Sequence, residues 1–151
     1  MRLKEKVSII TGAASGFGKG IAKKFSEEGA KLILADINKD SLEKVSKDLN
    51  QDFFHADVSN SKSMQKLSEY VLKKYGTIDI MVNNAGITHL PKPLDKVSEE
   101  EFDKVFAVNS KSVFLCGKFF VPHMKKQKKG SILNISSTAG ISPRPNLNWY
   151  N

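Results

Sequence analysis

The stretch Val7-Ser-Ile-Ile-Thr-Gly-Ala-Ala-Ser-Gly-Phe-Gly18 joins a short apolar run to a glycine-rich turn. Residues 7–10 predict a buried β-strand, because the run is rich in β-branched residues and too short for a core helix. Ile21, Ala22 and Phe25 then recur at helical spacing, so the turn leads into an amphipathic helix. A strand, a glycine turn and a helix in this order present backbone N–H groups and a helix N-terminus to a phosphate group.

The glycines of this turn, Gly12, Gly16 and Gly18, have the spacing G-x-x-x-G-x-G rather than G-x-G-x-x-G. Glycine permits a tight turn and lets phosphate oxygens approach the backbone without meeting a Cβ atom. The same cluster is also compatible with a flexible turn that binds nothing. Both interpretations stand until other motifs are considered.

Composition limits the classes to which the protein can belong. The 151 residues suffice for about one domain, and 40% of them are hydrophobic, which is enough for a core. The single Cys116 excludes an internal disulfide and suits a reducing compartment. No apolar run approaches the ~18 residues of a membrane-spanning helix, and the charged N-terminus lacks the apolar core of a signal peptide. We therefore expect a cytoplasmic protein that does not associate with membranes.

The net charge of +8 raises the question of nucleic-acid binding. The lysines are spread over most of the expected helices, and only Lys125, Lys126, Lys128 and Lys129 form a cluster. That cluster lies at an expected helix C-terminus, where cations complement the helix dipole. We expect no nucleic-acid partner.

Four further strand segments follow the first one, and segments with helical periodicity separate them. Strands are expected at residues 31–36, 53–55, 78–82 and 130–137. Helices are expected at residues 39–49, from a cap at Ser59 to Tyr75, and after a capping box at residues 98–101. This alternation predicts an α/β fold, a Rossmann-like doubly wound parallel sheet whose five strands have the order 3-2-1-4-5.

Polar residues end two of these strands at the edge where such sheets bind ligands. Asp36 stands 18 positions after Gly18, where a dinucleotide-binding fold places the acid that accepts hydrogen bonds from a ribose. Its charge would repel a 2′-phosphate and favours NAD over NADP, although Lys39 is close; the alternative is a simple turn or capping residue. The run Asn83-Asn-Ala-Gly86 offers both donors and acceptors directly after the fourth strand.

The long helix after residue 98 carries an amide within its apolar stripe. The expected stripe consists of Phe102, Val105, Phe106, Asn109, Val113, Cys116 and Phe120. Because a buried amide must be hydrogen-bonded, Asn109 either binds backbone or belongs to a site. Cys116 suits packing rather than chemistry. His89, Arg144 and Trp149 could line a pocket, and each could equally be a surface or packing residue.

Together these motifs resemble those of the short-chain dehydrogenase/reductase family. The turn at residues 11–18 resembles its T-G-x-x-x-G-x-G motif, Asp57-Val58 its adenine-contacting pair and residues 83–86 its N-N-A-G motif. Ser137 and Tyr150 are 13 positions apart, which is the spacing of the catalytic Ser and Tyr of the family. Residues 143–150 also resemble bacterial members of the 3-oxoacyl-carrier-protein reductase-like and glucose 1-dehydrogenase-like kinds.

The resemblance implies an NAD-dependent oxidoreductase that interconverts a small secondary alcohol and a ketone by hydride transfer. It implies that Tyr150 is the acid/base, that Ser137 orients the substrate and that Asn109 holds a water in a proton relay. It further implies a homo-oligomer, a tetramer or a dimer, without a metal site. The residues that it assigns to the cofactor are Thr11, Gly12, Ser15, Gly16, Phe17, Gly18, Asp36, Asp57, Val58, Asn84, Ala85 and Gly86.

The sequence departs from the family pattern after Tyr150. The family continues Y-x-x-x-K, whereas this sequence ends at Asn151. We expect an NAD(P)-binding Rossmann domain over residues 1–151 that is incomplete at its C-terminus, truncated before a sixth strand. Its open edge strand suggests either part of a longer polypeptide or a fragment stabilised by association. A free tyrosine has a pKa of about 10 and needs a neighbouring ammonium to act as a base at neutral pH. The alternative is therefore a cofactor-binding fragment without activity.

Overall fold

Strands and helices alternate along the chain, which a computed structural model describes from Met1 to Asn151. The strands are β1 (Val7–Thr11), β2 (Lys31–Asp36), β3 (Asp52–His55), β4 (Ile80–Asn83) and β5 (Ser131–Asn134). The α-helices are α1 (Gly16–Glu27), α2 (Lys39–Leu49), α3 (Ser61–Tyr75), α4 (Glu99–Phe106) and α5 (Ser112–Lys126). A π-helical turn (Ala107–Lys111) joins α4 to α5, and short 3-10 helices lie at Leu94–Lys96 and Thr138–Gly140. None of the helices is long and apolar enough to cross a membrane.

The strands form one parallel sheet in the order β3-β2-β1-β4-β5, which confirms the predicted topology. Ile9 of β1 lies opposite Ile33 of β2 on one side and opposite Met81 of β4 on the other. Every residue of β1 is buried, whereas every residue of β5 is exposed. This difference follows from position, because β1 is the central strand and β5 is an edge strand.

Apolar cores cover both faces of the sheet at its central strands β1, β2 and β4. Ile9 and Met81 pack with Phe120 of α5 on one face, while Ile10 packs with Leu42 of α2 on the other. Successive side chains of a strand point to opposite faces, so a strand covered on both sides buries every side chain. This explains why Val7, Ile9 and Ile10 of β1 are buried together with Ser8 and Thr11, and why β1 does not alternate between buried and exposed residues.

The predicted cap of α3 is wrong by one residue. The helix begins at Ser61, and its N-cap is Asn60, whose Oδ1 accepts a hydrogen bond from the Ser63 N–H at 3.1 Å. The hydroxyl of Ser59 instead donates to Oδ1 of Asp57 at 2.7 Å. The Ser59 hydroxyl is therefore bound to the Asp57 carboxylate instead of capping the helix. The predicted capping box of α4, formed by Ser98 and Glu101, is confirmed.

Two strands are shorter than predicted. β4 begins at Ile80 instead of residue 78, and β5 covers Ser131–Asn134 instead of residues 130–137. The ladder between them ends where Asn83 lies opposite Asn134, because β4 itself ends there. The chain beyond β5 makes one more bond to β4, from the Ile135 N–H to the Asn83 carbonyl at 2.9 Å, and then leaves the sheet.

Phe106 does not belong to the buried stripe of the long helix, and its assignment there was wrong. Its side chain is 44% exposed, whereas Val105, Cys116 and Phe120 are buried as predicted. The ring of Phe106 packs on the ring of Phe102 with centroids 4.4 Å apart. An aromatic pair on the outer side of α4 thus replaces the expected contact with the sheet.

Asp79 joins the starts of three strands. Its carboxylate accepts a hydrogen bond from the Val7 N–H at 3.0 Å, and Nζ of Lys129 lies 2.9 Å from its other oxygen. The backbone of Asp79 binds the Val7 carbonyl and the Ser131 N–H, each at 2.9 Å. Burial raises the pKa of Asp79, but the Lys129 ammonium and the Val7 N–H outweigh burial and hold the pKa below its ordinary value.

Replacing Asp79 by Ala should lower the free energy of unfolding by about 2 kcal/mol, because the Val7 N–H would be buried without a partner. Since the folded pKa of Asp79 is depressed, its contribution is full above about pH 4 and is lost as the pH falls through the folded value. Urea unfolding at neutral and acidic pH measures both effects. Lys128→Ala, at the exposed neighbour of Lys129, is the control. Equal stability of D79A and the unmodified chain at neutral pH would contradict this account.

Candidate cofactor-binding site

A cavity of about 510 Å³ lies where the loops after β1, β2, β3 and β4 meet. Its size is typical of small-molecule and cofactor pockets. Parallel strands deliver the loops that follow them to one edge of the sheet, so the topology alone brings these segments together. All the residues that were expected to bind the cofactor line the cavity, except Thr11 and Gly18.

Thr11 and Gly18 hold the cavity wall together. Oγ1 of Thr11 accepts hydrogen bonds from the N–H groups of Asn84 at 3.0 Å and Ala85 at 3.1 Å. Nδ2 of Asn84 donates to the Thr11 carbonyl at 2.9 Å. A Cβ atom on Gly18 would lie 2.0 Å from the Gly12 carbonyl oxygen and 2.6 Å from Nδ2 of Asn84. Thr11 therefore bonds the glycine turn to the loop after β4, and Gly18 leaves the room that their close contact needs.

The N-terminus of α1 is left open. Asn38, Asn60 and Ser98 cap α2, α3 and α4 with their side chains, whereas Ser15 at the start of α1 forms no such bond. The first turn of α1 also contains no acidic residue. Its N–H groups and the positive end of its dipole are therefore free for an anion. This arrangement fits a phosphate group.

The backbone of the glycine turn is accessible at the same place. Gly12 and Gly16 have φ values of +65° and +52°, which side-chain-bearing residues rarely adopt. Apart from its chain neighbours and the backbone of its own helix, no atom lies within 4 Å of the position that a Cβ atom on Gly16 would occupy. A ligand can thus approach Gly16 closely, as a diphosphate in this cavity would require.

The carboxylate of Asp36 is fixed at the β2 end of the cavity. Oδ2 accepts a hydrogen bond from the Ala14 N–H at 3.0 Å, and Oδ1 accepts one from the Asn38 N–H at 2.9 Å. Each oxygen keeps a further lone pair, so the carboxylate can also accept hydrogen bonds from a ribose diol. Lys39, the cation nearest in sequence, has its Nζ 3.8 Å from the Glu43 carboxylate.

Asp57 and Val58 form the wall after β3. Oδ1 of Asp57 accepts hydrogen bonds from the Ser59 N–H at 2.9 Å and from the Ser59 hydroxyl. The Asp57 N–H donates to Oγ of Ser63 at 3.0 Å. Val58 is 7% exposed and belongs to the core on the α3 and α5 face. Hydrogen bonds to serines therefore hold Asp57 in place, and packing in the core holds Val58.

Asn109 binds the backbone of the loop after β4. Its Oδ1 accepts a hydrogen bond from the Ile87 N–H at 2.9 Å, and its Nδ2 donates to the Ile87 carbonyl at 2.8 Å. A Cβ atom on Gly86 would lie 3.5 Å from Oδ1 of Asn109, so the amide adjoins the cavity lining. The residue lies in the π-helical turn, a distortion that is frequent at functional sites. The predicted need for a hydrogen-bonding partner is thus met by backbone.

The structure does not join Ser137, Tyr150 and Asn109 by hydrogen bonds, and none of them lines the cavity. Oγ of Ser137 accepts a hydrogen bond from the Ala139 N–H at 3.1 Å and caps the last 3-10 helix. The Tyr150 N–H donates to the Leu147 carbonyl at 2.9 Å. The assembled part of the site is therefore the part assigned to the cofactor.

His89, Arg144 and Trp149 also lie outside the cavity lining. His89 is 5% exposed, and its Nδ1 donates to the Leu90 carbonyl at 2.8 Å, since a carbonyl can only accept. The Trp149 ring meets the Phe102 ring edge-on, with centroids 5.4 Å apart. Arg144 is exposed. His89 and Trp149 are therefore packing residues, and Arg144 is a surface residue.

Sequence reasoning missed five lining residues, Ile37, Ala56, Ile87, Lys104 and Val108. The first three are sequence neighbours of motif residues, so extending each motif by one position would have found them. Lys104 and Val108 belong to α4 and the π-helical turn. Only tertiary packing brings them to the cavity, and no local pattern marks them.

The structure contains no cluster of three or more His, Cys, Asp or Glu side chains that could bind a metal ion. Cys116, the single thiol, is buried in the core on the α3 and α5 face. Burial raises the pKa of the Cys116 thiol, and a weaker hydrogen bond with Asn83 opposes that rise. The thiol is therefore a packing group.

Known proteins share both the sequence and the fold of this chain. The sequence profile described as short chain dehydrogenase matches residues 6–151. The 3-oxoacyl-[acyl-carrier-protein] reductase of Thermotoga maritima is 42% identical over 155 residues, which cover 99% of this chain and 63% of that relative. The chain spans 54–63% of the length of the curated relatives compared with it. It belongs to the short-chain dehydrogenase family.

Solved structures agree with this assignment. The 3-ketoacyl-(acyl-carrier-protein) reductase from Brucella melitensis, complexed with NADH, has a TM-score of 0.93 and 41% identity, covering 97% of this chain and 63% of that one. A metagenomic short-chain oxidoreductase in complex with NADP has a TM-score of 0.94 and 32% identity, covering 99% of this chain and 70% of that one. The expected family and fold are thus confirmed.

Replacing Gly18 by Ala should lower the free energy of unfolding by at least about 2 kcal/mol, because the added methyl group would overlap the Gly12 carbonyl. Gly20→Ala is the matched control, because Gly20 lies in the same helix and no atom beyond that helix's own backbone and its chain neighbours comes within 4 Å of its Cβ position. G20A should instead gain about 1 kcal/mol of stability from helix propensity. Urea unfolding measures both variants. A G18A variant as stable as G20A would show that the close contact does not exist.

Proposed function

We propose that this chain is the cofactor-binding region of an NAD-dependent oxidoreductase that interconverts a secondary alcohol and a ketone. The observation that carries the proposal is the meeting of the uncapped N-terminus of α1 and the fixed Asp36 carboxylate in one cavity. An open helix N-terminus suits a diphosphate, and a carboxylate suits the adjoining ribose. A dinucleotide carries a diphosphate and an adjoining ribose in one molecule.

Asp36 supports NAD over NADP as the cofactor. Two backbone N–H groups hold its carboxylate in place, at 2.9 Å and 3.0 Å, so the charge cannot easily turn away. A 2′-phosphate would have to lie against this charge, and the repulsion grows in a partly desolvated cavity. Lys39 forms its ion pair with Glu43, at 3.8 Å, and none with Asp36.

The proposed chemistry rests on residues beyond the cavity. A nicotinamide cofactor held by the cavity residues would supply the chemistry of hydride transfer to or from the carbon that bears the substrate oxygen. The Tyr150 phenolate would take the hydroxyl proton during oxidation, and the Tyr150 hydroxyl would return it during reduction, while Ser137 would donate a hydrogen bond to the substrate oxygen. The Asn109 amide retains one N–H and one lone pair beyond its bonds to Ile87. These free groups could hold the water of a proton relay.

A second candidate is a module that binds the cofactor without turnover. Ser137 caps a helix instead of facing the cavity, and Tyr150 does not line the cavity either. A panel of secondary alcohols with NAD separates the candidates. Formation of NADH supports the oxidoreductase, whereas NADH binding with no turnover by residues 1–151 supports the module. The dimeric or tetrameric state remains a proposal that light scattering can test.

Replacing Asp36 by Ala should narrow the preference for NADH over NADPH by about tenfold or more, because the charge that repels the 2′-phosphate is removed. Fluorescence titration of the chain with each reduced dinucleotide gives both dissociation constants. Asp40→Ala, at an exposed acid in the first turn of α2, is the control and should keep the original ratio. Tighter binding of NADPH than NADH by the unmodified chain would refute the assignment of NAD.

A further inference from the structure

The segment that carries Tyr150, residues 144–151, is closed on itself by hydrogen bonds; we call it the Tyr150 segment. The Asn151 side chain accepts a hydrogen bond from the Arg144 N–H at 3.2 Å and donates one to the Arg144 carbonyl at 3.0 Å. The N–H groups of Tyr150 and Asn151 both donate to the Leu147 carbonyl, at 2.9 Å and 3.1 Å. Because Leu147 is also buried, the segment has both a defined shape and an anchor.

Contacts with α4 and with the loop after β4 hold the Tyr150 segment on the rest of the molecule. The rings of Trp149 and of Phe102 on α4 stand at 89° to each other, with centroids 5.4 Å apart. Aromatic rings prefer such an edge-to-face contact. The Asn146 carbonyl accepts a hydrogen bond from the Lys92 N–H of the loop after β4 at 3.0 Å. The segment therefore lies against both α4 and the loop.

α4 and the loop after β4 are in turn joined to each other. Nζ of Lys92 lies 2.7 Å and 2.9 Å from the two carboxylate oxygens of Glu101 on α4. Asn109, in the π-helical turn that continues α4, binds both backbone groups of Ile87. Gly86 and Ile87 of this loop line the cofactor cavity. The Tyr150 segment is thus tied, through α4 and the loop, to the wall of the cavity.

We infer that Trp149 is a positioning residue, which holds the neighbouring Tyr150 where it exchanges a proton with the substrate. This inference rests on the proposed function, since it takes Tyr150 as the acid/base. Trp149 lies outside the cavity lining, so it acts through Tyr150 and not on the cofactor. A proton is transferred only within hydrogen-bond reach, and a misplacement of about 1 Å can cost on the order of a hundredfold in rate.

The first test compares Trp149→Ala, which removes the ring, with Trp149→Phe, which keeps a ring that can contact Phe102. NMR relaxation of the isotope-labelled chain reports the order of the Tyr150 amide on the ps–ns timescale. The amide should be ordered in the unmodified chain and in W149F, and mobile in W149A. Asn148→Ala, at the exposed neighbour of Trp149, is the matched control and should leave the amide ordered.

The variant Phe102→Leu tests the same contact from the side of α4. Because Trp149 is the single tryptophan of the chain, its fluorescence reports this contact directly. The emission of F102L should shift to longer wavelength, since the indole ring loses its partner and becomes more exposed to water. The Tyr150 amide should become mobile in F102L as it does in W149A.

Turnover of secondary alcohols with NAD provides the readout that a purely structural contact would not change. W149A should lower kcat about tenfold or more, whereas W149F should stay within about threefold of the unmodified chain. The dissociation constant of NADH should be the same in all three, because Trp149 does not line the cavity.

Three results would overturn the inference. A Tyr150 amide as ordered in W149A and F102L as in the unmodified chain would show that the aromatic contact does not hold it. An equal loss of order in N148A would indicate a general sensitivity of the segment, and a loss of NADH affinity as large as the loss of kcat would indicate a distorted cavity. If the unmodified chain forms no NADH from any alcohol, the proposed activity itself fails. The relaxation comparison uses no cofactor, so it still decides whether Trp149 holds Tyr150.

Discussion

The close contact between the glycine turn and the loop after β4 is the constraint on which the site depends. Gly18 lies so near the Gly12 carbonyl that a Cβ atom would come within 2.0 Å of it. Asn84 donates to the carbonyls of both Thr11 and Gly12, at 2.9 Å and 3.3 Å, and so fixes the turn from the opposite side. These bonds fill the space behind the turn, which leaves its outer backbone and the start of α1 open to the cavity.

Two polar side chains at this cavity, those of Asp36 and Asn109, use some of their hydrogen-bonding atoms to bind backbone. Their remaining donors and acceptors stay free for a ligand. Asp36 uses one lone pair of each oxygen for a backbone N–H and keeps the others. Asn109 uses both of its amide atoms on Ile87 and still retains a donor and an acceptor. Such groups need no rearrangement to meet a ligand, so ordering them costs little on binding.

The sequence was a good guide where the determinant was local. Alternating strand and helix patterns predicted the strand order correctly, because right-handed crossovers allow few arrangements of a parallel sheet. The motif residues after β1, β2 and β4 could be named because each follows directly from a strand end. Ser59, Phe106 and Lys104 were misjudged or missed because a neighbouring carboxylate, an aromatic partner and the packing of α4 decided their roles. Asp57 and Phe102 lie only two and four residues from Ser59 and Phe106, but their contacts compete with the expected cap and the expected apolar stripe. The position of Lys104 depends on tertiary packing, which no local pattern marks.

The most direct test of the central claim is the response of the backbone N–H groups of α1 to a dinucleotide. Titration of the isotope-labelled chain with NADH, followed by NMR, reports each N–H separately. The account predicts that the largest changes occur at Gly16, Phe17 and Gly18, with changes at Asp36 in the same concentration range. Changes confined to other regions, with these groups unaffected, would contradict the claim that the open helix N-terminus and the carboxylate form one dinucleotide site.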